Sequence, residues 1–298
     1  MHVLEPKDIA SRNNKHAKVK RRSSRISLLL LVVLLAVGGG AYWYTYLRKK
    51  PASLATTPVT PQLSSNKSVA SAAKPAKTTL KTFTGVEFKD LYHSIKYPNT
   101  EPFTTPPEIT GNVVADTRIR ELADKRGFLL TSIPVAPIVK TNEPLLKGEE
   151  DDLLQPLALN SWLQLKAAAK KDGLSMTLIS AYRSPKWQRQ LFTQRLYATG
   201  VTAAQIASGT ADNAVNATLG LTAVPGYSRH HTGYTVDLYC EDGTAFVSSS
   251  CNTWISKDNY ANAKKYGWIP SYPPGAGEQG PEPEPWEYVW VGTDVLYK

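Results

Sequence analysis

The sequence predicts a mixed helix-and-strand domain in its C-terminal half, held behind one transmembrane helix by an unstructured linker. Three observations predict it. Residues 26–47 carry no charged side chain. Residues 51–79 are rich in Ala, Ser, Thr, Pro and Lys and nearly free of large apolar side chains. From Asp151 onward, capped segments of helical periodicity alternate with short apolar runs of strand character.

Charge divides the chain in the same place. Of its net +10, residues 1–50 hold +9, from eleven Lys/Arg against two Asp/Glu. The remaining body is close to neutral, so the high pI of about 9.4 describes the N-terminus. It is no footprint of a nucleic-acid-binding domain.

Residues 1–25 are polar and basic and are expected to form an unfolded cytoplasmic tail. As a helix, Ile26–Leu47 would span roughly 33 Å, enough for a bilayer. Tyr42, Trp43, Tyr44 and Tyr46 gather at its far end, followed by Arg48, Lys49 and Lys50. The richer basic flank lies on the N-terminal side, which puts the body outside the cytoplasm. The rival reading is a signal peptide cut near Gly38–Ala41; both export the body. Residues 48–79 are too poor in apolar surface to fold and read as a tether.

Residues 80–149 contain short apolar runs broken by Pro98, Pro102, Pro106 and Pro107. Thr117–Arg126 reads as a helix and Phe128–Ile138 as a strand with loops. The region shows no chemistry, and either covers the core that follows or forms a small module of its own.

The signals sharpen over residues 150–298. Asn160 is a candidate N-cap for a helix over Ser161–Asp172 that ends at Gly173. Ser175–Ala181 reads as a strand. Ser184 can cap the next helix, with Pro185 in its first turn and Gly200 beyond its end. Tyr182-Arg183-Ser184 lies between them, and an arginine there can make a two-pronged bond to a carboxylate. Read alone, Arg183 also fits an ordinary surface ion pair. Residues 203–219 are small and partly helical.

Pro225–Leu238 holds an imidazole, His230, and a carboxylate, Asp237, seven residues apart with Gly233 between them. That pair suits two ligands of one zinc ion, though a surface turn could carry the same residues. Thr235–Tyr239 alternates as a half-buried strand, with Asp237 facing away from Val236 and Leu238. Cys240 and Cys251 are the only cysteines. In an exported domain they read as a disulfide, with a metal role as the rival. Trp254–Tyr266 reads as a helix. The stretch Glu282-Pro283-Glu284-Pro285 leads into a strand over Trp286–Trp290 that carries Glu287.

Three of these stretches resemble the VanY-type D-alanyl-D-alanine carboxypeptidases. Ser180-Ala181-Tyr182-Arg183-Ser184 with Gln188 is similar to that family's Ser-Gly-Tyr-Arg-Ser…Gln element. Ser228, His230, Gly233 and Asp237 match its Ser-x-His-x-x-Gly-x-x-x-Asp signature. Glu284-Pro285-Trp286-Glu287 resembles its Glu-Pro-Trp-His element. The resemblance spans roughly residues 150–293.

It implies an α+β fold of the hedgehog/DD-peptidase type, with helices packed on a small antiparallel sheet and Zn²⁺ in a groove. It also implies roles. His230 and Asp237 would ligate zinc, and Glu284 would be the general base. Arg183 would bind the substrate carboxylate or steady the oxyanion. Ser184, Gln188, Ser228 and Trp286 would contact substrate, with His231 lining the groove. One departure stands out: the family's third ligand is a histidine after the tryptophan, and here it is Glu287. Glutamate can ligate zinc, but a second carboxylate lowers the net charge of the site. His93 is a remote alternative ligand.

The expected activity is removal of the C-terminal D-alanine from peptidoglycan stem peptides by a monomeric, membrane-anchored enzyme. D,D-, L,D- and endopeptidase variants stay open. The competing expectation is a peptidoglycan-binding or regulatory module whose chemistry Glu287 has impaired.

Overall fold

The computed structural model describes residues 79–146 and 152–298. The expected basic tail (1–25), membrane span (26–47) and all but the last residue of the linker (48–79) lie outside the described residues. Among the described residues, no helix is long and apolar enough to cross a membrane.

The N-terminal part is built from α1 (Gly85–Ser94), β1 (Thr100–Pro102), α2 (Val113–Lys125), β2 (Ser132–Pro134) and β3 (Val139–Lys140). Thr84 and Glu87 form a reciprocal capping box on α1. The Asn112 side chain caps α2, so this helix starts four residues before the expected Thr117. β1 and β2 form an antiparallel pair, and β3 pairs with β4 (Leu153–Leu154).

Next come α3 (Pro156–Lys171), β5 (Met176–Ser180), α4 (Pro185–Tyr197), α5 (Ala203–Ala207) and α6 (Asp212–Leu219). Asn160 is not a cap. α3 begins at Pro156, whose fixed φ suits a first helical position and which has no N–H to leave unpaired. Ser184 caps α4 as expected, its side chain accepting from the Trp187 N–H. A 3₁₀ turn (Arg229–Thr232), β6 (Thr235–Cys240), α7 (Ser250–Lys264), β7 (Trp268–Tyr272) and β8 (Glu284–Trp290) complete the chain.

The expected helix over Trp254–Tyr266 is instead α7, which starts at Ser250 and breaks over Lys257–Tyr260. Asp258, Asn259 and Tyr260 have φ of 51°, 56° and 61°. This left-handed run is costly for side chains with a Cβ. Tertiary bonds fix it: the Asn259 amide accepts from the Phe83 N–H at 3.0 Å and donates to the Phe83 carbonyl at 2.7 Å.

The sheet that positions the site has the order β5-β6-β8-β7, antiparallel throughout. β7 was not apparent in the sequence because Pro270 lies within it. As an edge strand it tolerates a residue with no N–H.

One sheet face buries Leu178, Val236, Leu238, Trp268 and Tyr288 against Trp162, Leu165 and Ala169 of α3 and Ile255 and Ala263 of α7. Full burial of each large apolar side chain contributes roughly 1.5–3 kcal/mol. A second cluster joins α2 and Phe128 to Phe192, Leu196, Val215 and Leu219. A third sets Phe88 of α1 against Ile269, Val289, Val291 and Leu296. The described part of residues 80–149 is therefore packed into the core that follows and is no separate module. The disulfide Cys240–Cys251 is formed, with Cα atoms 5.7 Å apart.

Candidate metal centre and active site

His230 stands in the 3₁₀ turn that follows Ser228. Gly233 ends this turn in the left-handed region at φ 73°, and a Cβ there would meet the Gln155 Cγ at 3.3 Å. The His230 ring is 1% exposed, and its Nδ1 donates to the Ala181 carbonyl at 2.6 Å. A carbonyl can only accept, so Nδ1 carries a proton and Nε2 is left as the ligating nitrogen. Nε2 lies 3.4 Å from Asp237 Oδ1 and 3.2 Å from Glu287 Oε2.

Asp237 in β6 and Glu287 in β8 are direct cross-strand partners. Like charges so placed repel each other. Asp237 Oδ1 and Glu287 Oε1 are also buried without a hydrogen-bond partner, which costs free energy unless a cation meets them. Ligand atoms of His230, Asp237 and Glu287 all lie within 4.8 Å of one another. One imidazole nitrogen and two hard oxygens form a donor set that zinc accepts. On its donors and its orphaned oxygens the site fits a divalent cation. His93 lies on α1, outside this cluster.

Protonation reports the same imbalance. Burial and Arg183 push His230 down, but Asp237 and Glu287 outweigh them and raise it to about 9. Burial pushes Glu287 up, yet the His230 charge and hydrogen bonds from His230, Glu284 and Ser271 hold it at about 2. Glu284 goes the other way: burial and then the Glu287 charge raise its carboxyl well above the usual range. In a regular strand residues 284 and 287 would face opposite sides. The β7–β8 register shifts between Pro270 and Tyr272, and the two carboxyl groups lie close enough for each to shift the other's protonation.

Arg183 is anchored on three sides. Its Nη1 donates to Gln188 Oε1 at 3.1 Å, and its Nη2 to Ser180 Oγ at 2.9 Å and Asp237 Oδ2 at 3.3 Å. The guanidinium lies over the Trp187 ring at 5.2 Å. Arg183, Ser228, Asp237, Glu284, Trp286 and Glu287 line one cleft. Trp286 is 37% exposed at its rim.

Gln188 and Ser184 each have a partner within the fold. Gln188 is fully buried, its Nε2 donating to the Ala223 carbonyl at 2.6 Å, so it orients Arg183. The Ser184 hydroxyl oxygen serves as the cap of α4. His231 does not line the groove either. Its Nε2 accepts from the Gly226 N–H at 2.9 Å and its Nδ1 donates to the Arg183 carbonyl at 2.5 Å. Burial holds it neutral, at about 3.

Three contributors escaped the sequence reading: Arg195 and Tyr272, which line the cleft, and Ser271, which helps to hold Glu287 ionised. Ser271 and Tyr272 lie on the unrecognised β7. Arg195, in the last turn of α4, looked like an ordinary helix-end cation.

Residues 151–293 match the family described as VanY, D-alanyl-D-alanine carboxypeptidase. These residues belong to the VanY family. The match takes in every donor and cleft residue named above and excludes the segment before residue 151. Glu287 is the residue of the cluster at which the resemblance described above is imperfect, with a carboxylate after the tryptophan in place of an imidazole.

YodJ of Bacillus subtilis strain 168, a putative carboxypeptidase, is 31% identical over 131 residues, or 42% of this chain. The chain spans 41% of that relative's length. A vancomycin-resistance D,D-pentapeptidase, VanY, solved in complex with Zn(II), is 24% identical with a TM-score of 0.41. The match covers 54% of this chain and 84% of that one. The LD-carboxypeptidase LdcB is 23% identical with a TM-score of 0.41, over 51% of this chain and 65% of that one.

Proposed function

We propose that this chain is a zinc-dependent carboxypeptidase that removes the C-terminal D-alanine from peptidoglycan stem peptides. Residues 26–47 would anchor it, with its body outside the cytoplasm. The observation that carries the reading is the convergence, in one cleft, of the His230/Asp237/Glu287 donor set with Glu284 and Arg183. The impaired-module alternative finds no comparable support, since two opposed buried carboxylates with orphaned oxygens favour a cation-holding site.

His230, Asp237 and Glu287 would hold the ion, which when bound supplies Lewis acidity to a water and to the scissile carbonyl. Glu284 takes the proton from the attacking water. Burial raises its carboxyl above the usual range, which suits it to take this proton and pass it to the departing amine. Arg183, fixed by Gln188 and Ser180, faces the negative charge that develops on the carbonyl oxygen. Gln188 and His231 act one step back, by holding the side chain and carbonyl of Arg183.

The test uses the full-length, zinc-loaded protein with a stem pentapeptide and a tetrapeptide, following D-alanine release by mass spectrometry. Release from one of them, reduced at least about 100-fold in Glu284→Gln, is the expected result. No release from either by the folded, zinc-loaded protein would refute the reading.

A further inference from the structure

Two guanidinium groups line the cleft, and only one of them is committed. Arg183 spends Nη1 on Gln188 and Nη2 on Ser180 and Asp237, and its Nε is buried without a partner. It is tied to a metal donor and cannot swing out to meet a distant group. Arg195 lies on the same cleft, in the last turn of α4. Among the described residues it makes one hydrogen bond, from Nη1 to the Leu221 carbonyl at 2.9 Å. That leaves the Nε–Nη2 edge, the geometry that takes a carboxylate bidentately. Among the described residues Arg195 forms no ion pair.

Arg195 is repelled by Arg183 and attracted by Glu284 and Asp237, none of which pairs with it. An anion set between the two arginines lowers their repulsion. We infer that Arg195 is the specificity-determining residue of the cleft, the anchor for the free C-terminal carboxylate of a peptide substrate. This inference rests on the peptidase reading above and divides the work of the two arginines. Arg183 serves the carbonyl that is attacked. Arg195 holds the chain end beyond it and so confines cleavage to the terminal residue. The exposed Leu221, whose carbonyl orients Arg195, adds apolar surface next to the anchor.

The test compares full-length, zinc-loaded wild type, Arg195→Met and Arg195→Lys on a stem peptide acid and on its C-terminal amide. Calorimetric binding of the acid and the amide is measured in parallel in a Glu284→Gln background. Arg195→Met should raise KM for the acid about 10- to 100-fold, the range of a lost charge-assisted hydrogen bond, and far more than it lowers kcat. The preference for acid over amide should fall by the same factor in turnover and in binding. Arg195→Lys should keep part of it. If Arg195→Met retains the wild-type KM and the full acid preference while turnover persists, the assignment is overturned and the peptidase reading stands. If wild type neither cleaves nor binds either peptide, the peptidase reading fails and this inference falls with it.

Discussion

Asp237 and Glu287 face each other across the β6–β8 ladder, two buried carboxylates in direct register with His230 Nε2 within 3.4 Å of one and 3.2 Å of the other. Their mutual repulsion is what a bound cation would relieve. Glu287 is thus one half of the carboxylate pair on which the candidate site is built. Glu287→Ala should lower zinc affinity by at least about 100-fold, since even partners outside the ligand set cost 10- to 100-fold. Glu287→His should retain tight binding. Titration against a chelating dye measures both.

Zinc uptake should expel a proton. Without a cation His230 is an imidazolium up to about pH 9, and ligation requires its neutral Nε2. Below about pH 9 the affinity should rise by about tenfold per pH unit, and above it level off. Calorimetry in buffers of different ionisation enthalpy should find proton release at pH 7. Uptake without release would mean that His230 is not a ligand.

Gln188 should matter through Arg183. Gln188→Ala leaves the Ala223 carbonyl and one Arg183 N–H without partners in a buried site, at a cost of about 1–3 kcal/mol in stability. Turnover should fall more than KM changes, because the misplaced group is the one facing the developing charge. Denaturant melts and steady-state kinetics check the two halves.

Much of this was legible in the sequence where the signal is local. Ser184-Pro185 announces a helix start, and the alternation of Thr235–Tyr239 announces β6. The His230/Asp237 spacing and the cysteine pair are equally direct. What escaped depends on distant partners. Pro270 reads as a breaker until β7 is known to be an edge strand. The interruption of α7 depends on Asn259 bonding to the backbone of Phe83, far away in sequence. His231 looks like a groove residue beside His230, yet its ring is consumed by Gly226 and Arg183. Arg195 resembles any basic residue at a helix end until α4 is set against the cleft.

The disulfide ties the end of β6, three residues beyond Asp237, to the start of α7. Replacing Cys240 and Cys251 by Ser should cost about 3 kcal/mol in the chain-entropy account. Wild type treated with reductant should melt at the temperature of the double variant.

The central claim is that His230, Asp237 and Glu287 together hold the metal. X-ray absorption at the zinc edge, on the full-length protein loaded with one equivalent, tests it most directly. The account predicts a shell of nitrogen and oxygen donors containing a single imidazole, and its loss in Glu287→Ala. A shell with two or more imidazoles, or one unchanged in that variant, would contradict it.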